Sequence, residues 1–323
     1  MAGSRSNTLL RMATLAAVVC ILLGLLLLPR FRQADPEPDE FGDVLRLLAE
    51  EGISIIAVGD GLYEFNILSA AWDLCDPNIR SQTRGHVALS EDAVWYLDQD
   101  ADYRYFVRRD TLGTEESQSV IVDLPRIPAL ISVNPSGTLL AYWIPSDDGR
   151  EAGSLTVVDL SSGHKAVLYD GQVFDMAWLI SQDALLLGTA AGLITVDMSG
   201  NMRNLGVEGQ WPDTLSGDRI AYARWNNGKG ACYTKRLGQK EDVAFTLENY
   251  VYCMDWDTGG RYALTGTLAW RRVLSFSYGV LVQVHDTQTG KTYKLPIAPF
   301  ITRNVFWHKW RDYAAGNRAD GSR

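Results

Sequence analysis

The stretch that decides the fold is NPSGTLLAY at residues 134–142. It joins a polar turn containing a glycine to a run of apolar residues, and the chain repeats this combination. Ungapped equivalents begin at Ser216 and Thr258, and weaker ones that keep the leading serine and the apolar tail begin at Ser90 and Ser181. Counted from the serine of each copy, the starting positions lie 46, 45, 35 and 42 residues apart. The chain therefore contains an internal repeat of about forty residues.

Each repeat carries the same succession of short apolar runs. One run precedes the serine-glycine turn and a second follows it. The third run ends in an acidic residue that is followed by another turn; for example, Asp159 comes before the turn Ser161-Ser162-Gly163. A fourth run, such as residues 165–168, completes the repeat. Glycine supplies the positive φ that such turns need. Four antiparallel strands in a repeat of this length are typical of a β-propeller, because stacked blades cover the apolar faces that one sheet cannot cover alone.

The number of repeats predicts an all-β ring of six blades. Residues 300–310, FITRNVFWHKW, have the pattern of an innermost strand with nothing after it, and residues 53–85 have that of a blade without its first strand. Pairing the two segments joins the ends of the chain and removes exposed sheet edges. Seven blades are the alternative, and they would require the stretch 42–89 or the stretch 252–310 to hold two blades.

The repeat resembles that of TolB-type and WD-repeat-like bacterial propellers. In that family a blade reads roughly S-P-D-G-K-x-[IL]-A-[YF]…V-x-D-x-x-T-G, and residues 134–163 follow this order. The similarity covers about residues 50–310 and is strongest around 131–168, 175–205 and 252–296. Trp256-Asp257 does not end a third strand, so the strict WD signature is absent. The resemblance implies a propeller fold and no particular ligand.

The composition narrows the class of protein. The chain has 323 residues, and 46% of them are hydrophobic, which is ample for a packed core. Its formal charge is −9, whereas a protein that binds nucleic acid through its phosphates is usually basic. Only four histidines and four cysteines are present, which disfavours a metalloprotein rich in these ligands. We therefore predict no nucleic-acid partner and no cofactor.

The N-terminal segment differs from the rest of the chain. The first 34 residues contain four arginines and no acid, and the remainder has 26 basic and 39 acidic residues. Residues 12–28 carry no charge, and the length of this segment is at the lower limit for a membrane-spanning helix. They predict a transmembrane signal anchor at 12–29 behind a tail at 1–11. Cleavage after Ala34 and lipidation of Cys20 are the alternatives, and both have unsuitable flanking residues.

The other boundaries follow from composition. Residues 30–40 form a polar linker with two prolines, and 41–51 have the pattern of a short amphipathic helix at the start of a propeller domain at 41–313. Residues 314–323 are a polar tail. Arginines stand on both sides of the anchor, so the positive-inside rule favours a cytoplasmic N terminus only slightly. We expect the propeller to lie in the periplasm or outside the cell.

Few residues suggest chemistry. Asp98, Asp100 and Asp102 alternate as in a calcium loop, but Tyr103 and Arg109 stand where the EF-hand pattern needs glycine and glutamate, which favours a solvated hairpin. The four histidines fall in different repeats, and no G-x-S-x-G stretch nominates a nucleophile. No catalytic or metal-binding residue is predicted.

The cysteines leave two alternatives open. A disulfide between Cys232 and Cys253 would close a loop of about 20 residues and contribute about 3 kcal/mol. Cys253 is expected on an innermost strand and Cys232 further out in the preceding blade, which would separate their Cα atoms beyond bridging reach. Free, buried thiols are the other alternative.

The tryptophans recur at equivalent places in the repeat, which predicts packing between neighbouring blades. Trp270, Arg271 and Arg272 are different, because they lie in an insertion at 267–277 that the other repeats lack. An aromatic residue flanked by arginines in such an insertion is a candidate protein-contact patch, and a solvated loop is the alternative.

These features favour a single-pass membrane protein whose propeller is a non-enzymatic binding or assembly scaffold for a protein partner near the membrane. This last step is an analogy, because a fold does not imply a function. The alternative is a propeller hydrolase or lyase with a metal or carboxylate site at the central channel. Three or more carboxylates or histidines within coordination distance at the channel mouth would favour the enzyme.

Overall fold

In the computed structural model the described part of the chain forms six antiparallel sheets of four strands each. The strands are β1 (Ile53–Val58), β2 (Leu62–Asn66), β3 (Ala71–Asp76), β4 (Val87–Leu89), β5 (Ala93–Gln99), β6 (Tyr105–Thr111), β7 (Ser117–Leu124), β8 (Leu130–Val133), β9 (Leu139–Pro145), β10 (Gly153–Asp159), β11 (Lys165–Asp170), β12 (Val173–Trp178), β13 (Ala184–Thr189), β14 (Gly192–Asp197), β15 (Met202–Asn204), β16 (Gln210–Leu215), β17 (Arg219–Asn226), β18 (Lys229–Arg236), β19 (Glu241–Leu247), β20 (Cys253–Trp256), β21 (Tyr262–Arg272), β22 (Ser277–Asp286), β23 (Thr292–Lys294) and β24 (Asn304–Lys309).

The structure describes a defined set of residues. They are 46, 49, 53–66, 69–80, 86–90, 93–112, 117–147, 152–179, 183–216, 218–226, 229–247, 250–251, 253–272, 277–298 and 304–309. The predicted anchor at 12–29, the tail at 1–11, the linker at 30–40 and the C-terminal tail at 314–323 all lie outside this set. Within the set, no helix is long and apolar enough to cross a membrane. Of the predicted helix at 41–51 only Arg46 and Ala49 are described, and both are helical.

The sheets are the six predicted blades. Blade I consists of β24, β1, β2 and β3, and blades II to VI follow as β4–β7, β8–β11, β12–β15, β16–β19 and β20–β23. The C-terminal β24 pairs with the N-terminal β1, from Ile53 opposite Lys309 to Val58 opposite Asn304. The seven-bladed alternative is wrong, because the stretch 252–310 holds only blade VI and β24. This stretch is long because the strands β21 and β22 have 11 and 10 residues.

The glycine turns join the strands as predicted. Gly137 and Gly260 both have φ of 70° between the first and second strands of their blades, and Gly163 has φ of 71° between the third and fourth strands of blade III. Asn134 braces its turn, because its Oδ1 accepts hydrogen bonds from the backbone amides of Thr138 and Leu139 at 2.8 and 2.9 Å. A residue with a Cβ would be strained at the glycine positions.

The apolar core lies mainly between blades. One cluster combines Leu130, Trp143 and Leu155 of blade III with Val173 and Trp178 of blade IV. The predicted packing of tryptophans between blades is confirmed for the buried Trp95, Trp143, Trp178, Trp211 and Trp256, while Trp225 and Trp307 are half-buried. Burial of such side chains is the main force that holds the blades together.

The ring has two different faces. Because strands alternate in direction, the first-to-second and third-to-fourth turns of every blade lie on one face, which we call the turn face. The second-to-third hairpins and the connections between blades lie on the other, the hairpin face. Ile53 and Lys309 are paired at the end of β1 and β24 that corresponds to a first-to-second turn. Both ends of the ring therefore emerge on the turn face.

Candidate functional site: the central channel and the hairpin face

The inner strands of the six blades enclose a central channel. Its cavity has a volume of about 660 Å³ and is lined by residues from β4, β8, β12, β16, β20 and β24. A volume of this size is typical of sites that hold a small molecule or an inserted side chain.

The channel is acidic on one side only. Asp175, Asp213 and Asp255 lie on β12, β16 and β20, the inner strands of three consecutive blades, and each is half-buried. The opposite wall carries serines, Asn304 and apolar side chains. No lysine, arginine or histidine is among the described residues that line the cavity. The described lining of the channel therefore carries three carboxylates and no basic side chain.

Two of these carboxylates connect neighbouring blades. Asp213 Oδ2 accepts a hydrogen bond of 2.8 Å from the backbone amide of Trp256, which joins blade V to blade VI. Asp255 Oδ2 accepts one of 2.7 Å from the backbone amide of Trp307, which joins blade VI to the closing strand of blade I. Asp213 Oδ1 also accepts the amide of Thr214 at 2.7 Å. The two aspartates thus repeat one contact in successive blades.

The surroundings of the pair favour the protonated carboxyl. Burial raises the pKa of Asp213 to about 7, the negative charges of Asp175 and Asp257 add to the shift, and the backbone hydrogen bonds oppose it. Burial, followed by repulsion from Asp213, raises the pKa of Asp255 well above its ordinary range. Burial also raises the pKa of Asp257. The surroundings therefore hold the pKa of both carboxyls above the ordinary aspartate value.

The acidic wall does not form a metal centre among the described residues, since no group of three or more histidine, cysteine, aspartate or glutamate side chains there could hold a metal ion. The aspartate loop of blade II is a hairpin between β5 and β6, as predicted. Asp100 accepts the backbone amides of Asp102 and Arg104 and forms an ion pair of 2.8 Å with the Arg104 guanidinium. Its oxygens are thus used within the hairpin.

His285 is buried within blade VI and packs between side chains of blades V and VI. His285 is 6% exposed, and its Nε2 and Nδ1 lie 2.8 and 3.0 Å from the hydroxyls of Thr265 and Thr292. Its ring stacks on Phe245 with centroids 4.2 Å apart. Burial lowers the pKa of His285 to about 4, so the imidazole is neutral at pH 7.

Cys232 and Cys253 do not form a disulfide, so the disulfide alternative is wrong. Cys232 lies on β18, the third strand of blade V, and Cys253 lies on β20, the inner strand of blade VI. The Cys232 thiol instead contacts Met254 Sδ at 3.3 Å. Both side chains are buried and pack in different apolar clusters.

The insertion with Trp270, Arg271 and Arg272 is part of a long hairpin rather than an irregular loop. The strand β21 extends to Arg272, and Trp270 pairs with Tyr278 on β22. The hairpin lengthens blade VI on the hairpin face. The role of these residues as a contact patch stays a prediction.

A second aromatic group, the aromatic cluster of Trp211, Trp225 and Tyr250, lies on the hairpin side of the adjacent blade V. The Trp211 and Trp225 rings are 4.8 Å apart, and the Tyr250 ring lies 5.7 and 5.4 Å from them. Tyr250 is 58% exposed. Trp211 has φ of 49° at a β-bulge, an uncommon conformation for a bulky residue.

Sequence reasoning missed both the aromatic cluster and the acidic wall. The tryptophans were assigned to packing between blades, and Tyr250 stands outside the repeat. Asp213 and Asp255 each stand three positions before the turn that starts the repeat, which is the one signal that could have placed them on equivalent inner strands. Their contact across blades depends on closure of the ring.

Solved structures share this architecture. TolB from Acinetobacter baumannii aligns with a TM-score of 0.56 at 13% identity over 79% of this chain, and the match spans 66% of that protein's chain. A putative TolB from Agrobacterium tumefaciens aligns with a TM-score of 0.55 at 12% identity, over 80% of this chain and 98% of that one. The fold is that of a TolB-like propeller. The resemblance inferred from the repeat is therefore confirmed at the level of the fold.

The same architecture occurs in an enzyme. An oligogalacturonate lyase in complex with manganese aligns with a TM-score of 0.51 at 14% identity, over 76% of this chain and 78% of that one. At such identities the likeness concerns the fold alone. No protein-family model matches the chain, and neither does any curated protein.

Proposed function

We propose that this chain is a membrane-anchored, extracytoplasmic propeller that binds a protein partner through the hairpin face of blades V and VI. The observation that carries the proposal is the position of the chain ends. Ile53 and Lys309 are paired on the turn face, so a membrane anchor that precedes β1 is connected to that face. The hairpin face remains accessible on the opposite side of the ring.

The residues on this part of the hairpin face suit a protein contact. Tyr250 is largely exposed and rests on two tryptophans, so its ring is held in place at little cost in side-chain entropy. Large aromatic side chains and arginines contribute most of the energy at protein interfaces. The long hairpin of blade VI, whose strand β21 carries Trp270, belongs to the blade that follows this aromatic cluster in the ring.

The charge of the patch differs from that of the molecule. Lys229 is exposed at the β17–β18 hairpin, and Arg271 and Arg272 end β21, whereas the chain as a whole carries −9. Glu208 is an exposed acid on the same face. The basic residues in the hairpins of blades V and VI favour a partner that presents acidic residues, because complementary charges accelerate encounter and exclude other partners.

Substitution tests this proposal. A variant with Trp270→Ala, Arg271→Ala and Arg272→Ala is expected to recover at least about tenfold less of the partner from solubilised membranes than the wild type does, since lost hot-spot residues cost about 2 kcal/mol or more each. Tyr103→Ala is the matched control, because Tyr103 is 78% exposed on the hairpin of blade II on the same face. Equal recovery by both variants would contradict the assignment.

A propeller lyase or hydrolase is the second candidate. It is favoured by Asp213, whose pKa burial raises to about 7, since acid–base catalysts need a pKa near the working pH, and the pKa of the neighbouring Asp255 is also raised. The purified chain with Mn²⁺ and oligogalacturonate, assayed for the absorbance of an unsaturated product, separates the two candidates. Turnover that is lost in Asp213→Asn would support the enzyme, and absence of turnover supports the scaffold.

A further inference from the structure

The paired contacts in the channel have a consequence for ring closure. β24 is the only strand of blade I that comes from the C-terminal end of the chain, and among the described residues its pairing with β1 is what joins the two ends. It also contacts blade VI through the hydrogen bond from the Trp307 amide to Asp255 and through Val305, which lies in the same apolar cluster as Val282 and Val284. Asp213 makes the same contact one blade earlier, with the amide of Trp256. The two aspartates thus hold β20 and β24 in succession.

The side-chain charges that act most strongly on the pair are acidic. Asp213 faces Asp175 of β12 and Asp257, and Asp255 faces Asp213 and Asp257. Positions 304–307 of β24 carry neither an acid nor a base, and His308 and Lys309 follow at its end. β4 and β8 contribute serines and apolar residues to the cavity. Full ionisation of the pair would accordingly place like charges at two adjacent blade junctions.

We propose that Asp213 and Asp255 form a proton-controlled clasp that tightens closure of the ring in acid and loosens it as the pH rises. Protonation of one carboxyl removes the repulsion between the two, while their oxygens still accept the amides of Trp256 and Trp307. Loss of that proton leaves two charges beside each other in a partly enclosed channel. The junctions from blade V to blade VI and from blade VI to β24 then open more often.

The direction follows from linkage. Both aspartates have a pKa that is higher in the closed ring than in an open one, so the closed state binds protons more tightly. The stabilisation is complete below the ordinary aspartate pKa of about 4 and is lost as the pH rises through the closed-state values. For Asp213 that window runs from about 4 to about 7, and for Asp255 it runs from the same ordinary value up to its own raised pKa. The clasp does not depend on which partner the protein binds.

Hydrogen exchange of the full-length protein in detergent micelles tests the clasp. Protection of a peptide covering 304–309, corrected for the intrinsic pH dependence of exchange, is expected to fall at least about tenfold between pH 5 and pH 8. A peptide covering β13 and β14 in blade IV is the internal reference and is expected to change less. In the Asp255→Asn variant, exchange protection at residues 304–309 is expected not to fall with pH, since the asparagine side chain keeps an acceptor oxygen but cannot ionise.

Two further variants keep the test decisive. Asp213→Asn removes one of the charges that raise the Asp255 pKa, so the loss of exchange protection at residues 304–309 is expected to occur at a lower pH. The same variant provides the test if Asp255→Asn does not fold. Asp159→Asn, in an exposed turn of blade III, is the control and is expected to behave as the wild type. Wild-type protection that is independent of pH, or an unchanged fall in both channel variants, would overturn the proposal.

Discussion

At the residue scale, the buried His285 is matched to neutral partners. His285 lies between two threonine hydroxyls and under Phe245, an arrangement that accommodates an uncharged imidazole. Protonation would place a charge in this site without a counter-ion among its described hydrogen-bond partners. The stability of blade VI is therefore coupled to pH through this side chain.

The pH dependence of unfolding tests this coupling. Because the folded-state pKa of His285 is about 4 and the unfolded value is 6.5, its contribution is complete above pH 6.5 and is lost as the pH falls through 4. We expect the free energy of unfolding to drop by about 3 kcal/mol from this group between pH 7.5 and pH 4, measured by urea titration. His285→Gln should lose that part of the dependence. His164→Gln, in an exposed turn, should keep it, and a dependence unchanged in both variants would refute the assignment.

A glycine in blade III is required by the close approach of a tryptophan. A Cβ at Gly153 would lie 2.6 Å from the Trp143 ring and 2.6 Å from the Ile144 carbonyl oxygen. Gly153→Ala is expected to lower the free energy of unfolding by about 1–3 kcal/mol, because the buried indole has no room to move. Gly188→Ala is the control, since its nearest side-chain neighbour would be Pro212 at 3.5 Å. Equal stability of the two variants in chemical denaturation would disprove the clash.

At the scale of elements, we expect the removal of β24 to have the largest effect on the stability of the ring. Without it blade I has three strands, and the inner edge of β1 is unpaired toward the channel. A chain that ends before Asn304 is expected to lose cooperative thermal unfolding and to aggregate, as exposed strand edges do. A chain that ends at residue 313 keeps β24 and should match the wild type in melting temperature within about 2 °C. Cooperative melting of the shorter chain would show that closure is not needed.

The elements also show what could be predicted from the sequence. The turns were predictable because a serine-glycine pair followed by apolar residues is a local signal, and Gly137 and Gly260 have the expected positive φ. The hairpin of blade VI was taken for a loop because no other repeat has it. Reading residues 267–272 as continued strand would have required knowledge of their partners across the hairpin. The bulge at Trp211 also depends on neighbouring strands.

At the scale of the whole molecule, closure of the ring was predictable, whereas the channel was not. The segment 53–85 lacks a first strand and the segment 300–310 has the pattern of an innermost strand, so pairing them is the simplest way to complete one blade. The strands β1 and β24 pair in this way. Asp175, Asp213 and Asp255 are separated by about forty residues each, and nothing local indicates that they meet. Their proximity is a property of the closed ring alone.

The proposed anchor is testable at this scale as well. The full-length chain is expected to stay with membranes after alkaline carbonate extraction, because a span of 17 uncharged residues at 12–28 is held by the hydrocarbon core. A chain that lacks residues 1–34 should appear in the soluble fraction with the same melting temperature. Release of the full-length chain by carbonate would contradict the anchor.

The central claim is that the hairpin face, opposite the chain ends, is the face that binds a protein. Site-specific photo-crosslinking in intact cells tests it most directly, with a photoreactive residue in place of Tyr250 on the hairpin face or of Ser162 in an exposed turn on the turn face. We predict a crosslinked protein adduct from position 250, reduced by the substitutions at Trp270, Arg271 and Arg272, and none from position 162. An adduct from position 162 alone would contradict the account.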